Sequence, residues 1–254
     1  MLALERRNRI LEKLQDEKRV VVSELSHLFH VSEETIRRDL DKLESEGYAI
    51  KSYGGAVINE NTSIDMPFNI RKKRNMMEKQ KIAELVAGMI KDGDYVILDA
   101  STTAVFIAKA IKDKQRLTVI TNSIEILIEL SDISGWHIIS TGGNLKEGYL
   151  ALVGTKTEHT IRSYCVDKAF ISCKALDKEK GVMESNELFA EVKQAMVDAA
   201  KTVILAVDHS KFDHTAFAQI TNFYNLSAIV TDEKPSNEWL EILRTYDVRC
   251  YYPE

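Results

Sequence analysis

The stretch from Val20 to Gly47, VVVSELSHLFHVSEETIRRDLDKLESEG, constrains the fold more than any other part of this chain. Its spacing predicts two short helices joined by a tight turn at His30-Val31. In the first, Ser23 stands at an N-cap position, and Leu25, Leu28 and Phe29 recur at helical spacing, so that side is expected to be buried. Ser32 caps the second helix, and Glu33 and Glu34 occupy its first turn, where the helix dipole favours negative charge. Ile36, Leu40 and Leu43 define a face that must be buried. Arg38 and Lys42 project almost opposite that face, Thr35 lies near them, Arg37 sits on the flank, and Gly47 ends the helix as a C′ residue. This is the outline of a helix-turn-helix that reads DNA. The competing reading of its outward Arg and Lys side chains is a solvated helix face.

The flanking sequence favours the first reading. Glu5 to Leu14 carries Ile10, Leu11 and Leu14 on one side and supplies a third helix to close the core. Downstream, Ala49 to Tyr53 alternates like a strand, turns at Gly54-Gly55, and returns through Ala56-Val57-Ile58. Three helices and a hairpin make a winged helix. ERRNRILEKL, SELSHLFHVSEETIRRDLDKLESEG and KSYGGAV together resemble the N-terminal domain of the DeoR family of bacterial transcriptional regulators. The T-x-R-R-D-L run at Thr35 to Leu40 and the Y-G-G-A ending at Ala56 are the most specific features. The resemblance implies that the second helix enters the major groove of operator DNA, with Thr35, Arg37, Arg38 and Lys42 as contacts, Ser32 at its start and Lys51 on the wing.

Net charge is −5, and within the first 58 residues acidic side chains roughly balance basic ones, so the DNA reading does not rest on a basic domain. It rests on placement of the basic residues, with Arg6, Arg7 and Arg9 near the start as further support. A length of 254 residues suits one large domain or a small one plus a larger one, and contents of 44% hydrophobic and 29% charged are those of a soluble globular protein. No apolar run approaches the roughly 18 residues of a membrane span and the N-terminus lacks a signal-peptide core, so a cytoplasmic location is expected. Cys165, Cys173 and Cys250 are widely spaced and suggest neither a disulfide framework nor a zinc site.

The predicted organisation is a winged helix-turn-helix over residues 1–58, a linker over 59–78, and a larger α/β domain over 79–254. Arg71-Lys72-Lys73-Arg74 either touches phosphates or forms a solvated helix leading into the second domain. Ile82, Leu85, Val86, Met89 and Ile90 mark an amphipathic helix. Apolar strands follow at Tyr95 to Leu98, Leu117 to Ile120, His137 to Ser140, Ala169 to Ser172, Val203 to Val207 and Ala228 to Val230. Helices lie between them at Ala104 to Ile111, Ile124 to Leu130 and Glu187 to Ala200, with one more at Asn237 to Tyr246. Such alternation gives a mostly parallel sheet covered by helices.

Ligands bind such sheets beyond the carboxyl ends of the strands. Here those ends read Asp99-Ala100-Ser101-Thr102-Thr103, Thr121-Asn122-Ser123, Thr141-Gly142-Gly143 and Asp208-His209-Ser210-Lys211. Hydroxyls and free backbone N–H groups at helix starts make an anion site, and Lys174, Lys193 and Lys211 offer positive charge. There is neither G-x-G-x-x-G nor a P-loop, so no nucleotide cofactor is expected. DASTT, VITNS, STGGNL, LVG, VDKAFIS and DHSKF resemble the C-terminal effector domain of the DeoR family, which in turn resembles ribose-phosphate isomerases. The resemblance implies a phosphorylated sugar as ligand, held by Asp99, Ser101, Thr102, Thr103, Asn122, Gly142, Gly143, Lys193, Asp208 and Lys211. Two departures fall in this region: Ser101 replaces a common Gly, and Cys173-Lys174-Ala175-Leu176 replaces a Gly-containing turn.

The expected function is a ligand-controlled repressor of a sugar-utilisation operon, working as a homo-oligomer, dimer or tetramer, on repeated half-sites. An isomerase-like enzyme is the alternative, with Asp99, Asp167, Glu184 and Glu187 available as bases. A metal site resting on Asp208-His209 and Asp213-His214 lacks further His or Cys ligands, and no metal is expected.

Overall fold

The computed structural model describes residues 1–59 and 66–253. The chain forms two compact units, Met1–Arg71 and Lys72–Glu254. Residues 60–65, part of the expected linker, lie outside the described residues. The rest of that segment is largely helical: α4 covers Phe68–Lys73 and α5 begins at Met76. Its basic run is partly engaged, since Arg71 Nε donates to the Met66 carbonyl at 2.9 Å and Lys72 pairs with Glu125.

In the first unit α1 (Ala3–Glu17), α2 (Val22–Phe29) and α3 (Glu33–Ser45) pack with β1 (Arg19–Val21), β2 (Ala49–Ser52) and β3 (Gly55–Ile58). The strands form one sheet in the order β1-β3-β2. β1, three residues pressed between two helices, gave no period-2 signal to read. The core holds Ile10, Leu11, Leu14, Leu25, Phe29, Ile36, Leu40 and Leu43, with Val20, Val22, Ala49, Ala56 and Ile58 closing it beneath the wing.

Two local expectations fail. Ser23 is not a cap: α2 starts at Val22, directly off β1, and no side chain caps its first turn. Leu28 is 57% exposed. At about 100° per residue it falls roughly 90° from the mean direction of Val22, Leu25 and Phe29, outside the buried stripe. The end of α3 is as expected: Gly47 has φ +80, its N–H donates to Glu44 O at 2.8 Å, and the Tyr48 N–H reaches Leu43 O at 2.9 Å.

The second unit is built on a seven-stranded sheet in the order β15-β14-β12-β9-β4-β5-β6, every neighbour pair parallel. Its strands are β4 (Tyr95–Leu98), β5 (Thr118–Thr121), β6 (His137–Ser140), β9 (Val166–Ile171), β12 (Ala200–Ala206), β14 (Ala228–Val230) and β15 (Arg249–Tyr251). The helices are α5 (Met76–Ala87), α6 (Thr102–Ala110), α7 (Ile124–Glu129), α8 (Thr155–Arg162), α9 (Glu187–Ala199) and α10 (Asn237–Thr245). Val96, Ile97 and Leu98 are wholly buried, as strands covered on both faces require. Two features were not read from the sequence. One is the hairpin of β7 (Asn144–Lys146) with β8 (Ala151–Val153); the other is a small antiparallel sheet of β10 (Ala175–Asp177), β11 (Gly181–Glu184) and β13 (Ala218–Thr221). β7, β8 and β10 are three residues each, too short for periodicity to register. Among the described residues no helix is long and apolar enough to cross a membrane.

The sheet opens in its centre. The chain lays down β4, moves outward through β5 and β6, then returns to the other flank of β4 with β9 and moves outward through β12, β14 and β15. The reversal lies between β4 and β9, the position at which open sheets of this kind form a crevice beyond their carboxyl ends.

The Gly54-Gly55 pair is explained residue by residue. Gly54 has φ +78 with open space around it, whereas a Cβ on Gly55 would lie 1.9 Å from the backbone oxygen of Val20. Gly55→Ala is therefore expected to push β3 off β1 and destabilise the N-terminal unit by at least about 2 kcal/mol, while Gly54→Asn, suited to the left-handed region, changes little. Thermal unfolding of both variants checks this; equal midpoints would contradict the close approach.

Candidate functional site

The second helix of the reader pair, α3, starts from a side-chain cap. Ser32 Oγ accepts the Thr35 N–H at 3.2 Å and lies 2.9 Å from Thr35 Oγ1, so these two predicted contact residues are tied to each other. Arg37, Arg38 and Lys42 stand out in solvent, and each is paired with a carboxylate four residues away. Arg37 meets Glu33 at 2.6 Å, Arg38 meets Glu34 at 3.3 Å, and Lys42 meets Glu46 at 3.3 Å. Lys51, on β2, pairs with Asp41 and lies 4.0 Å from Glu44, and its backbone N–H donates to Glu44 at 2.9 Å. Hydrogen bonding to Asp41, then its charge, raises the Lys51 pKa. The structure thus brings all six predicted DNA residues to α3 and the strand beside it.

Arg6 is a correction. It is 7% exposed and donates through Nε to Asp39 at 2.5 Å, with Arg7 at 3.8 Å from the same carboxylate. Charge alone does not reveal a partner 33 residues away, so Arg6 read as surface support when it is a buried brace between α1 and α3. Arg9 pairs with Glu5 at 3.0 Å. Asp39→Ala would strand a buried guanidinium, and a loss of about 3–5 kcal/mol is expected. The double variant Arg6→Met/Asp39→Leu should regain most of it in chemical denaturation.

In the α/β unit five neighbouring strands, β12, β9, β4, β5 and β6, deliver the polar loops side by side. At the reversal point Asp99 is wholly buried. Its Oδ1 accepts the Ser101 N–H at 3.1 Å, and its Oδ2 accepts the Ser172 N–H at 2.9 Å and lies 3.4 Å from Lys193 Nζ. Lys193, from α9, also donates to Ser172 O at 2.8 Å and to Glu184 at the end of β11. Burial alone would lower the Lys193 pKa, but the charges of Glu184 and Asp99 prevail and hold it above the usual lysine range. Burial pushes the neighbouring Cys173 thiol up to about 12, so it stays protonated. Lys174 uses its backbone N–H on Met183 O at 3.0 Å, where the chain enters the small sheet.

Thr102 and Thr103 are buried at the start of α6, whose cap is Ser101, accepting the Ala104 N–H at 3.0 Å. Ser101 has φ −82, so the place where Gly is common needs no glycine here, and the hydroxyl caps the helix instead. Thr121 Oγ1 is spent on the Ser123 N–H at 3.1 Å. Asn122 donates to Leu152 O at 2.9 Å, but its Oδ1 is buried and has no partner among the described residues. Gly142 and Gly143 have φ +64 and +115, and a Cβ on Gly143 would lie 2.0 Å from Thr157 Oγ1. Thr157 in turn donates to Gly142 O at 2.7 Å, so the glycine pair seats the first turn of α8.

On the other flank Asp208 accepts from Asn75 Nδ2 at 3.0 Å and from the Ser210 N–H at 3.1 Å. Burial would raise its pKa, but the charge of Lys211 and the hydrogen bonds from Ser210 and Asn75 outweigh burial and lower it. Sequence reading missed Glu184, Ser172 and Asn75 as parts of this arrangement. It also missed Asp232, although polar residues closing β14 carried the same strand-end signal. Asp232 is buried and accepts both the backbone N–H of His209 at 2.7 Å and its Nδ1 at 2.8 Å. Glu233 approaches the same pair, while Asp213 is engaged by Trp239 Nε1 at 3.0 Å.

Hydrogen bonding to Asp232 raises the His209 pKa above the usual imidazole value of 6.5. The pairing therefore stabilises the fold fully below 6.5, and that contribution is lost as pH rises through the folded-state value. The melting temperature is expected to fall modestly over that interval, since His209 is half-exposed, and Asp232→Asn should flatten the slope. An unchanged slope in the variant would assign the titration elsewhere.

Residues 6–62 match the family model of the DeoR-like helix-turn-helix domain, and residues 74–233 that of the DeoR C terminal sensor domain. YulB, an uncharacterized HTH-type transcriptional regulator of Bacillus subtilis strain 168, is 42% identical, with 91% of this chain and 90% of YulB covered. The glycerol-3-phosphate regulon repressor of Escherichia coli strain K12 is 28% identical, with 98% of each covered. Ribose 5-phosphate isomerase A of Methanocaldococcus jannaschii aligns with a TM-score of 0.40 at 16% identity over 54% of this chain and 55% of the isomerase. A likeness of that size says nothing of activity.

The chain belongs to the DeoR family. It is a DNA-binding transcriptional regulator, as its relatives are, and not an isomerase.

Proposed function

We propose that this regulator represses a sugar-utilisation operon, holding operator DNA through α3 and Lys51 as a homo-oligomer and releasing it when a phosphorylated sugar enters the crevice at the β4/β9 reversal. The unpartnered Oδ1 of Asn122 carries the ligand half of this reading. A buried acceptor without a donor costs about 1–3 kcal/mol, and a ligand hydroxyl removes that cost. Around it the crevice offers two chemistries. Asp99, Glu184 and Lys193 suit hydroxyls, while the first turn of α6, with Thr102 and Thr103, suits an anion. The name of the glycerol-3-phosphate regulon repressor contains a phosphorylated polyol, which supports a small phosphorylated ligand here.

Ligand control requires that the sugar phosphate favour one arrangement of the reading units over another. A symmetric oligomer on paired half-sites provides such arrangements. The experiment is fluorescence anisotropy of the purified chain on its own upstream DNA, with and without a panel of phosphorylated sugars. One compound is expected to dissolve the complex. Asn122→Leu should keep DNA binding and need at least roughly tenfold more of that compound; undiminished response would refute the crevice. Arg38→Ala should weaken DNA binding while leaving ligand binding intact.

A further inference from the structure

We propose that Glu34 is a base-reading residue, its carboxylate accepting a hydrogen bond from the exocyclic amino group of a cytosine or adenine in the major groove and so deciding which DNA α3 accepts. The inference rests on the reading of α3 as the DNA-facing helix and goes beyond it by giving a sequence-discriminating role to an acidic side chain.

The argument begins with direction. Taking Ile36, Leu40 and Leu43 as pointing inward, Glu34 and Arg38 fall within about 30° of directly opposite. Their side chains are 63% and 77% exposed, more than those of the neighbouring pair Arg37 and Glu33. Glu34 also lies in the first turn of α3, the end from which a recognition helix reaches base edges.

Apart from the helix dipole, which favours a carboxylate anywhere in the first turn, the fold gives Glu34 little to do. The helix start is already capped by Ser32, and the one partner of Glu34 among the described residues is Arg38, at 3.3 Å. Exposed ion pairs of this kind add little to stability. The other carboxylates near the face are placed differently. Asp41 and Glu44 hold Lys51 on the wing, and Glu33 lies on the flank.

A carboxylate carried into a groove walled by phosphates is repelled by every sequence. It is compensated where a base presents a donor, and in the major groove these donors are the amino groups of cytosine and adenine. Glu34 Oε1 holds Arg38 Nε, and among the described residues no partner engages Oε2 of Glu34 or the terminal nitrogens of Arg38, so the first is available as an acceptor and the second to a guanine or a phosphate beside it. The pair therefore presents an acceptor and a donor fork to adjacent positions, and penalises DNA that offers no amine to the acceptor.

The experiment is selection from a random-sequence duplex pool with the full-length chain, in parallel for wild type, Glu34→Ala, Glu34→Gln and Arg38→Ala. Anisotropy on an unselected random duplex at two salt concentrations accompanies it. Wild type is expected to require cytosine or adenine at one position per half-site. Glu34→Ala should lose that preference roughly tenfold at that position alone, while its affinity for the random duplex rises. Glu34→Gln, which keeps an acceptor without the charge, should retain part of the preference and share the higher random-duplex affinity.

An unchanged consensus with Glu34→Ala, while Arg38→Ala weakens binding, would overturn the role of Glu34 and leave the DNA face standing. An unchanged consensus and affinity with Arg38→Ala as well would overturn the face itself. Equal losses on selected and random DNA with Glu34→Ala would mark the residue as structural and also overturn the proposal; a thermal melt of each variant accompanies the selection.

Discussion

Lys193 is a cation closed into protein between two carboxylates, and the α/β unit depends on how that cation is satisfied. Taking an ammonium and its partners out of water costs several kcal/mol per ion, and the attraction between them offsets this only when all are in place. The partners here come from separate parts of the chain: Asp99 from the end of β4, Ser172 from the end of β9, Glu184 from β11 and Lys193 from α9. None of these segments can settle elsewhere without leaving a charge stranded. The cluster lies at the reversal point of the sheet, so the requirement that assembles the fold also assembles the crevice and gives it its charge.

The DNA-reading unit uses the same device on a smaller scale. Arg6 and Asp39 form a buried pair across α1 and α3, so the helix proposed to face DNA is fixed in direction by a contact on its inward side. This accounts for the acidic residue inside the T-x-R-R-D-L run, whose two arginines point to solvent while the aspartate points to the core. One motif thus contains both the outward chemistry and the brace that aims it.

Much of this was legible because period and punctuation speak locally. The stripe of Ile36, Leu40 and Leu43, the Ser32 cap and the Gly47 stop are properties of neighbouring residues, and so are the apolar strands ending in Asp99, Thr121, Ser140 and Asp208. Partners distant in sequence were not legible. Arg6 looked like any surface arginine, and Glu184 was visible only as one spare carboxylate among several. β10, β11 and β13, which carry Glu184 to Lys193, are stabilised by pairing across long separations and not by their own pattern. Ser101 was misleading for a different reason: a departure from a glycine matters when the backbone needs positive φ, and here it does not.

The ion pairs around α3 bear on the proposed control of DNA binding by a ligand. Arg37, Arg38, Lys42 and Lys51 are each paired with a carboxylate, so on the proposed reading a single reading unit gains less from phosphates than four free cations would. In the proposed oligomer, weak binding per unit would make the complex depend on two units engaging together, where the second contact benefits from a high effective concentration set by geometry. Such a gain disappears when the spacing no longer matches the half-sites. A ligand then needs only the differential affinity that shifts that spacing, a few kcal/mol for a shift from mostly bound to mostly released, and not enough energy to break every protein–DNA contact. Self-neutralised cations on α3 and β2 are thus compatible with the proposed control by a small ligand.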